Sequence, residues 1–339
     1  MKKITRCIAL FMSFFVLPLV ASAHEKWFIN SIPAEMQKPD FFAEYSLINI
    51  VMALVAMVAL ILATVLHYGI MKEKIVKRAH SFLSNYKQWV APVMRGSLGI
   101  LLVVAAYGNF LMAPDLLLET LSGGLARTLV YMQLIIGIML ALGIYVRFAG
   151  LLGMLLVAVG FLYFPTIALL PYAAFFGLFM YLAMLGDKTL PIHQQRGIFP
   201  ALQRIVRGEH WEPYALPFLR ILLGFSFFIA GLYFKVIEPR YTLQMVAEHG
   251  LNFMPFLGMQ WFSNEMFIFS AGLTEMLLGI MLLLGILPRL VAVFVMCMFT
   301  LTTFIFGMPE IAGHLPLYAG LFAILVLGPG RWTFVPSER

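Results

Sequence analysis

The sequence predicts an all-α polytopic membrane protein, and three observations carry that prediction. The chain is 62% hydrophobic and only 12% charged, with a mean hydropathy of +0.93, far from the composition of a soluble domain. Apolar runs of about 20 residues recur along it, the length at which a helix crosses a bilayer. These runs do not alternate, as the strands of a membrane barrel would.

The elements follow in order. Residues 1–23, "MKKITRCIALFMSFFVLPLVASA", have a basic start, a short apolar core and a small-residue end. That layout predicts a cleaved secretory signal peptide, with a mature chain starting at His24 outside the cytoplasm. The competing reading, an uncleaved first helix, fits less well because Pro18 interrupts the apolar core. Residues 24–89 hold a periplasmic segment, a first span at 44–68 and a basic linker. In that linker "MKEKIVKRAHSFLSNYKQWV" mixes Lys and Arg with Ile75, Val76, Phe82 and Leu83. Such a segment suits a helix lying on an anionic leaflet, and equally an ordinary basic loop.

Further spans are predicted at 90–112, 126–146, 148–165, 166–186, 216–235, 265–286, 288–307 and 314–329, making nine. Residues 148–186 lack Asp, Glu, Lys, Arg and His throughout, a run too long for one crossing, and Pro165 and Pro171 mark its turn. The remaining segments are a cytoplasmic linker at 187–215 and a cytoplasmic tail at 330–339. Lys72, Lys74, Lys77, Arg78, Arg147, Lys188, Arg196, Arg289 and Arg331 all fall on the predicted inner side of an inner (cytoplasmic) membrane. The positive-inside rule thus places the mature N-terminus in the periplasm and the C-terminus in the cytoplasm. The net charge of +7 reflects this topology and gives no reason to expect nucleic acid; the partner it implies is the lipid bilayer.

An internal repeat organises the spans. "QLIIGIMLALGIYVR" (133–147) aligns without gaps on "EMLLGIMLLLGILPR" (275–289), with eight of fifteen positions identical. Upstream, "RGSLGILLVVAAYGNF" (95–110) matches "RILLGFSFFIAGLYFK" (220–235); downstream, "FPTIALLP" matches "MPEIAGHLP". The reading is two tandem parallel four-helix bundles, 90–186 and 216–329, plus one extra N-terminal transmembrane helix.

Two charges stand out in the second repeat. By helix rise, Lys235 lies about 22 Å beyond Arg220, and Glu275 about 21 Å before Arg289. If both arginines mark the inner surface, Lys235 and Glu275 share a depth. An unpaired charge at that depth costs several kcal/mol, so the two are expected to pair. The first repeat has Gln133 for Glu275 and Asn109-Phe110 for Phe234-Lys235; it keeps polar groups and loses both charges. A functional site is needed once, whereas a structural clamp could survive in either form. The candidate ligand-binding set is therefore Lys235, Glu275 and Arg220, with Gln133, Asn109 and Arg95 as secondary residues. For Arg95 and Arg220 themselves, snorkelling to the inner surface is the expected role and anion binding the alternative.

These residues carry a resemblance. An Arg-led helix ending in "AGLYFK", followed by a Glu-led helix closing on "GILPR", resembles the DoxX family, clearly over 216–329 and more faintly over 90–186. The resemblance implies a four-helix membrane bundle in each half. Its name comes from subunits of a thiosulfate:quinone oxidoreductase, and related bundles include a redox-complex partner, cargo receptors and receptor-assembly factors. It therefore implies a membrane subunit or partner in quinone-linked redox chemistry, with quinone as the candidate cofactor and a protein partner in a membrane complex. A cargo-binding or assembly protein is the alternative. A small-solute transporter is a third reading, disfavoured because no inverted repeat or broken-helix pair is evident.

The chain shows no haem, flavin or iron–sulfur signature. Cys7 would leave with the signal peptide and Cys297 lies in an apolar helix, so no thiol relay or cysteine metal site can form. Any redox role needs a bound cofactor or a partner. His24, His249 and His314 fall on the predicted outer side, where Met245, Met254, Met259 and Met308 could add soft ligands. No spacing ties these residues together, and isolated histidines are the simpler reading. In the loop 236–264, "YTLQMVAEHG" reads as a short helix stopped by Gly250. "FMPFLGMQWF" reads as an interfacial lid or a plain membrane anchor.

Overall fold

The computed structural model describes residues 33, 36–41, 46–70, 74–186 and 211–334. The signal peptide, His24, most of the 187–215 linker and the last five residues lie outside that set. Among the described residues the chain is helical and forms no strands. Eight helices are long and apolar enough to cross a membrane.

The first is α1 (Ser46–Ile70). The basic linker is helical, as α2 (Lys74–Ser84), and runs through a 3-10 turn at Lys87–Trp89 into the bundle. The first half then contributes α3 (Val90–Tyr107), α4 (Gly123–Leu142), α5 (Val146–Tyr163) and α6 (Ala173–Leu185). The second half contributes α7 (Glu212–Leu232), a short α8 (Arg240–His249), α9 (Asn264–Leu284), α10 (Pro288–Phe306) and α11 (Met308–Leu327). The ninth predicted span, 314–329, falls almost wholly within α11, a helix of 20 residues. Glu310 and His314 occupy the first two turns of α11.

The two halves interlock. Within each half the first two helices pack together, α3 on α4 and α7 on α9, and so do the last two, α5 on α6 and α10 on α11. Helix α7 then packs more extensively on α6 than on α11, and α11 more on α3 than on α7. Each half thus covers the open face of the other, and one continuous hydrophobic core runs through both. A half cut away from its neighbour would expose that face.

At aligned positions the two halves have the same local geometry. The turn between helices α4 and α5 places Gly143 at φ 70° and Tyr145 at φ 47°; the turn between α9 and α10 places Gly285 at φ 72° and Leu287 at φ 45°. In each turn the glycine takes the left-handed conformation that closes a helix C-terminus, and its N–H reaches carbonyls of the last helical turn. Tyr145 and Leu287 adopt a conformation that costs side-chain-bearing residues roughly 1–2 kcal/mol, and packing around each turn must offset it.

Helix α1 docks on the second half. His67, 2% exposed, accepts a hydrogen bond at Nδ1 from the Leu287 amide at 2.9 Å. At the other end Phe41 packs on Phe269, with ring centroids 5.1 Å apart. The loop 236–264 forms a cap with its own core of Met245, Val246, Leu251, Met254 and Phe262. Helix α8 ends at Gly250, φ 60°, as the sequence predicts, and Phe256, Leu257 and Trp261 project from the cap.

Candidate functional site

The site is built by the crossing of α7 and α9. Two levels of glycine allow the helices to touch. At the first, a Cβ on Gly279 would lie 2.6 Å from both the Gly224 oxygen and the Phe228 nitrogen. At the second, seven residues along each helix, a Cβ on Gly231 would lie 2.6 Å from the Gly272 oxygen. Beyond that level α7 widens into a π-turn, Tyr233–Ile237, a form that often marks functional positions. The turn is held by Thr242, whose hydroxyl donates to the Phe234 carbonyl at 2.8 Å.

Lys235 lies in this π-turn. Its Nζ donates to Glu275 Oε2 at 2.9 Å, with Lys235 fully buried and Glu275 5% exposed. The pairing expected from equal depth is therefore present in the geometry.

The first half shows what replaces it. Gln133, fully buried, accepts from the Met112 amide at 3.0 Å and donates to the Phe110 carbonyl at 3.0 Å. The chain leaves α3 through left-handed residues at Asn109 (φ 55°) and Met112 (φ 61°), and these turn backbone groups toward Gln133. Asn109 itself is exposed, so its side chain is not the counterpart of the lysine. The lower glycine crossing persists, since a Cβ on Gly99 would lie 2.8 Å from the Gly137 oxygen. At the upper level the alignment gives Ala106 and Val130 for Gly231 and Gly272. Their extra side-chain atoms stand where close backbone contact would otherwise form.

Arg220 departs from the snorkelling expectation. Arg220 is fully buried, and its Nη1 and Nη2 donate to the carbonyls of Pro329 at 2.9 Å and Trp332 at 2.7 Å. Arg95 donates to Leu140 and Ala141 carbonyls, Arg147 to Leu185, and Arg289 to Leu325 and Val326. The reason is common to the last three: the last carbonyls of a helix lack intrahelical partners, and guanidinium supplies several donors on a positive charge. Arg220 instead pins the segment after α11. It sits at the opposite end of α7 from Lys235, about 22 Å by helix rise, so the structure does not bring it to the ion pair. Arg220→Lys keeps the charge but loses the two-pronged geometry. The loss should be about 2–3 kcal/mol, read as new protease cleavage near Pro329; continued protection would show that other contacts hold the segment.

At the same end Arg289 also meets His80 of α2, Nη2 to Nδ1 at 2.8 Å. Burial and the nearby Arg289 and Lys87 charges hold the His80 imidazole below its usual range, favouring the neutral ring that accepts this bond. A cleft of about 980 Å³ opens here between the halves, lined by Tyr181, Leu185, Glu212, Leu216, Leu327 and Trp332. Arg147 reaches Glu212 at its edge, 3.5 Å away. The cleft lies far from Lys235 along α7, so its size is no guide to the ion-pair chemistry.

The histidines do not converge. His249 is exposed and packs edge-on against Phe306, while His314 is fully buried and stacks on Phe299. Among the described residues no three His, Cys, Asp or Glu side chains gather to hold a metal, and His24 lies outside them. Sequence reasoning missed Glu310, which lies 3.1 Å from His314 with both side chains fully buried. The signal was available as an acid and a histidine four residues apart in an apolar run.

The DoxX family model matches residues 215–308. No curated protein and no solved structure matches the chain. The matched residues contain both glycine levels, the π-turn, Lys235 and Glu275, so the segment that builds the ion pair is similar to the DoxX family, and it lies in a multi-pass helical membrane protein.

Proposed function

We propose that this chain is an inner-membrane subunit or partner in quinone-linked redox chemistry, with the Lys235–Glu275 pair as the polar anchor for a small apolar ligand. The supporting observation is a charged pair built once. Two helix hairpins share turn geometry and a glycine crossing, yet only the second has the upper glycine level and π-turn that hold an ammonium against a carboxylate. A quinone carbonyl is a hydrogen-bond acceptor, and the lysine could donate to it if the Glu275 contact loosened. The pair is enclosed, so binding requires local movement of α7 or the cap. The excess of Lys and Arg at one set of helix ends supports a periplasmic mature N-terminus and a cytoplasmic C-terminus. With no thiol relay in the sequence, electrons would pass through the ligand and a partner protein.

The assembly or cargo-binding reading has one observation in its favour. Helix α1 is largely uncovered, with Leu47, Val51, Leu54, Val58, Ile61 and Val65 all about half exposed or more, and a partner's transmembrane segment could lie there. Purification from native membranes followed by lipid extraction separates the two. Stoichiometric quinone that disappears in Lys235→Met/Glu275→Met is the expected result. A co-purifying protein with no quinone would overturn it in favour of assembly.

A further inference from the structure

A second buried ionisable cluster lies on α11, outside the residues that match the DoxX family. Glu310, His314 and Tyr318 are spaced four residues apart and so share one helix face. Glu310 Oε1 is 3.1 Å from His314 Nδ1, with both side chains fully buried. Phe299 of α10 stacks on the imidazole, centroids 4.0 Å apart and planes 14° apart, and also packs edge-on against Tyr318. The Tyr318 hydroxyl lies 2.8 Å from Thr300 Oγ1 and donates to the Met296 carbonyl. As with the lysine–glutamate pair, the first half has no equivalent: Thr166 stands at the position of Glu310, and no titratable residue matches His314.

We propose that Glu310 and His314 form a proton-binding site, taking up and releasing one proton inside the bundle. The physical argument is the cost of charge. A carboxylate held in an apolar interior needs a compensating positive charge or a proton, and the adjacent imidazole is the side chain that supplies either near neutral pH. With one proton on the pair the net charge is zero, whether it sits on the carboxyl oxygen or on the ring nitrogen. Loss of that proton leaves a buried negative charge. Phe299 fixes the ring plane and keeps Nδ1 near the carboxylate.

Tyr318 interacts with Glu310 and with the exposed Cys297 of α10, and the exposed His249 of α8 packs on Phe306 at the end of α10. The other charged group of α10, Arg289, is at its far end, about 25 Å away by helix rise. Arg95 of α3, Arg220 of α7, His80 of α2 and Tyr181 of α6 also belong to that far end. Tyr107 of α3 is exposed, and Lys235 is occupied with Glu275. The site rests on this geometry and not on the quinone reading.

Infrared difference spectroscopy tests it on the full chain in zwitterionic lipid vesicles as the pH is stepped. The expected spectrum contains a carboxyl signal and an imidazole signal that titrate together. Glu310→Gln should remove the carboxyl signal and move the imidazole midpoint by about one pH unit or more, as loss of an adjacent charge does. His314→Gln should remove the ring signal and move the carboxyl midpoint by a similar amount. The double variant Glu310→Thr/His314→Leu, which imitates the first half and leaves no buried charge, should fold and lose both signals. Signals that persist in the double variant, or midpoints unmoved in the singles, would overturn the assignment.

Discussion

Lys235→Met and Glu275→Met should each destabilise the protein by about 3–5 kcal/mol, the cost of leaving one member of a buried ion pair without its partner. The double variant Lys235→Met/Glu275→Met should recover most of that loss, because two apolar side chains of similar length replace the pair without an unmet charge. Thermal unfolding in lipid and the amount reaching the membrane report both effects as a double-mutant cycle. Effects that simply add would deny that the residues meet. The version that copies the first half, Lys235→Phe/Glu275→Gln, should recover less. Gln133 is satisfied by backbone groups of Phe110 and Met112 that a left-handed turn presents to it. The second half stays helical through its π-turn, and its Phe234 carbonyl already accepts from Thr242. A glutamine at 275 would therefore be buried with bonds unmade. Stability regained without quinone binding would mark the pair as functional; full activity in the double methionine variant would reduce it to a clamp.

Gly279→Val should be at least as damaging, with little folded protein in the membrane. Its first new atom would lie 2.6 Å from the Gly224 oxygen and from the Phe228 nitrogen. Both are backbone atoms of α7, so relief requires the two helices to separate. Separation at this level also strains the Gly231–Gly272 contact above it, and with it the reach between Lys235 and Glu275. Ordinary overpacking costs roughly 1–3 kcal/mol, and a clash with backbone on two sides should exceed that. Gly137→Ala in the first half should fall inside the range, because its nearest neighbours, at 3.0–3.2 Å, are one oxygen and two side-chain carbons. Gly96→Ala, which meets nothing within 4 Å, should be neutral or slightly stabilising. Equal abundance of all three variants, measured in membranes, would show that the glycine crossing does not set the helix spacing.

Composition and periodicity by themselves determined the solvent, the helical class and most spans of this protein. These rest on transfer free energies that sum along the chain and need no long-range contact. Equal helix rise from two arginines was enough to bring Lys235 and Glu275 to one depth, since rise per residue is nearly constant in a helix. The cap helix ending at Gly250 was legible for a similar local reason. Tertiary structure alone decided which faces met. The interlocking of the halves, with α7 on α6 and α11 on α3, depends on side-chain shape across helices that are apolar all round, where no hydrophobic stripe points to a partner. From the sequence Arg220 is expected at the membrane surface, because a charged side chain with water in reach takes it. The C-terminal segment instead offers the carbonyls of Pro329 and Trp332 within the fold. Glu310 is a single acid near a predicted loop in the sequence, whereas α11 begins at Met308 and carries it inward beside His314. In each case a polar group's cost depends on what lies within about 3 Å of it, and only the packed structure fixes that distance.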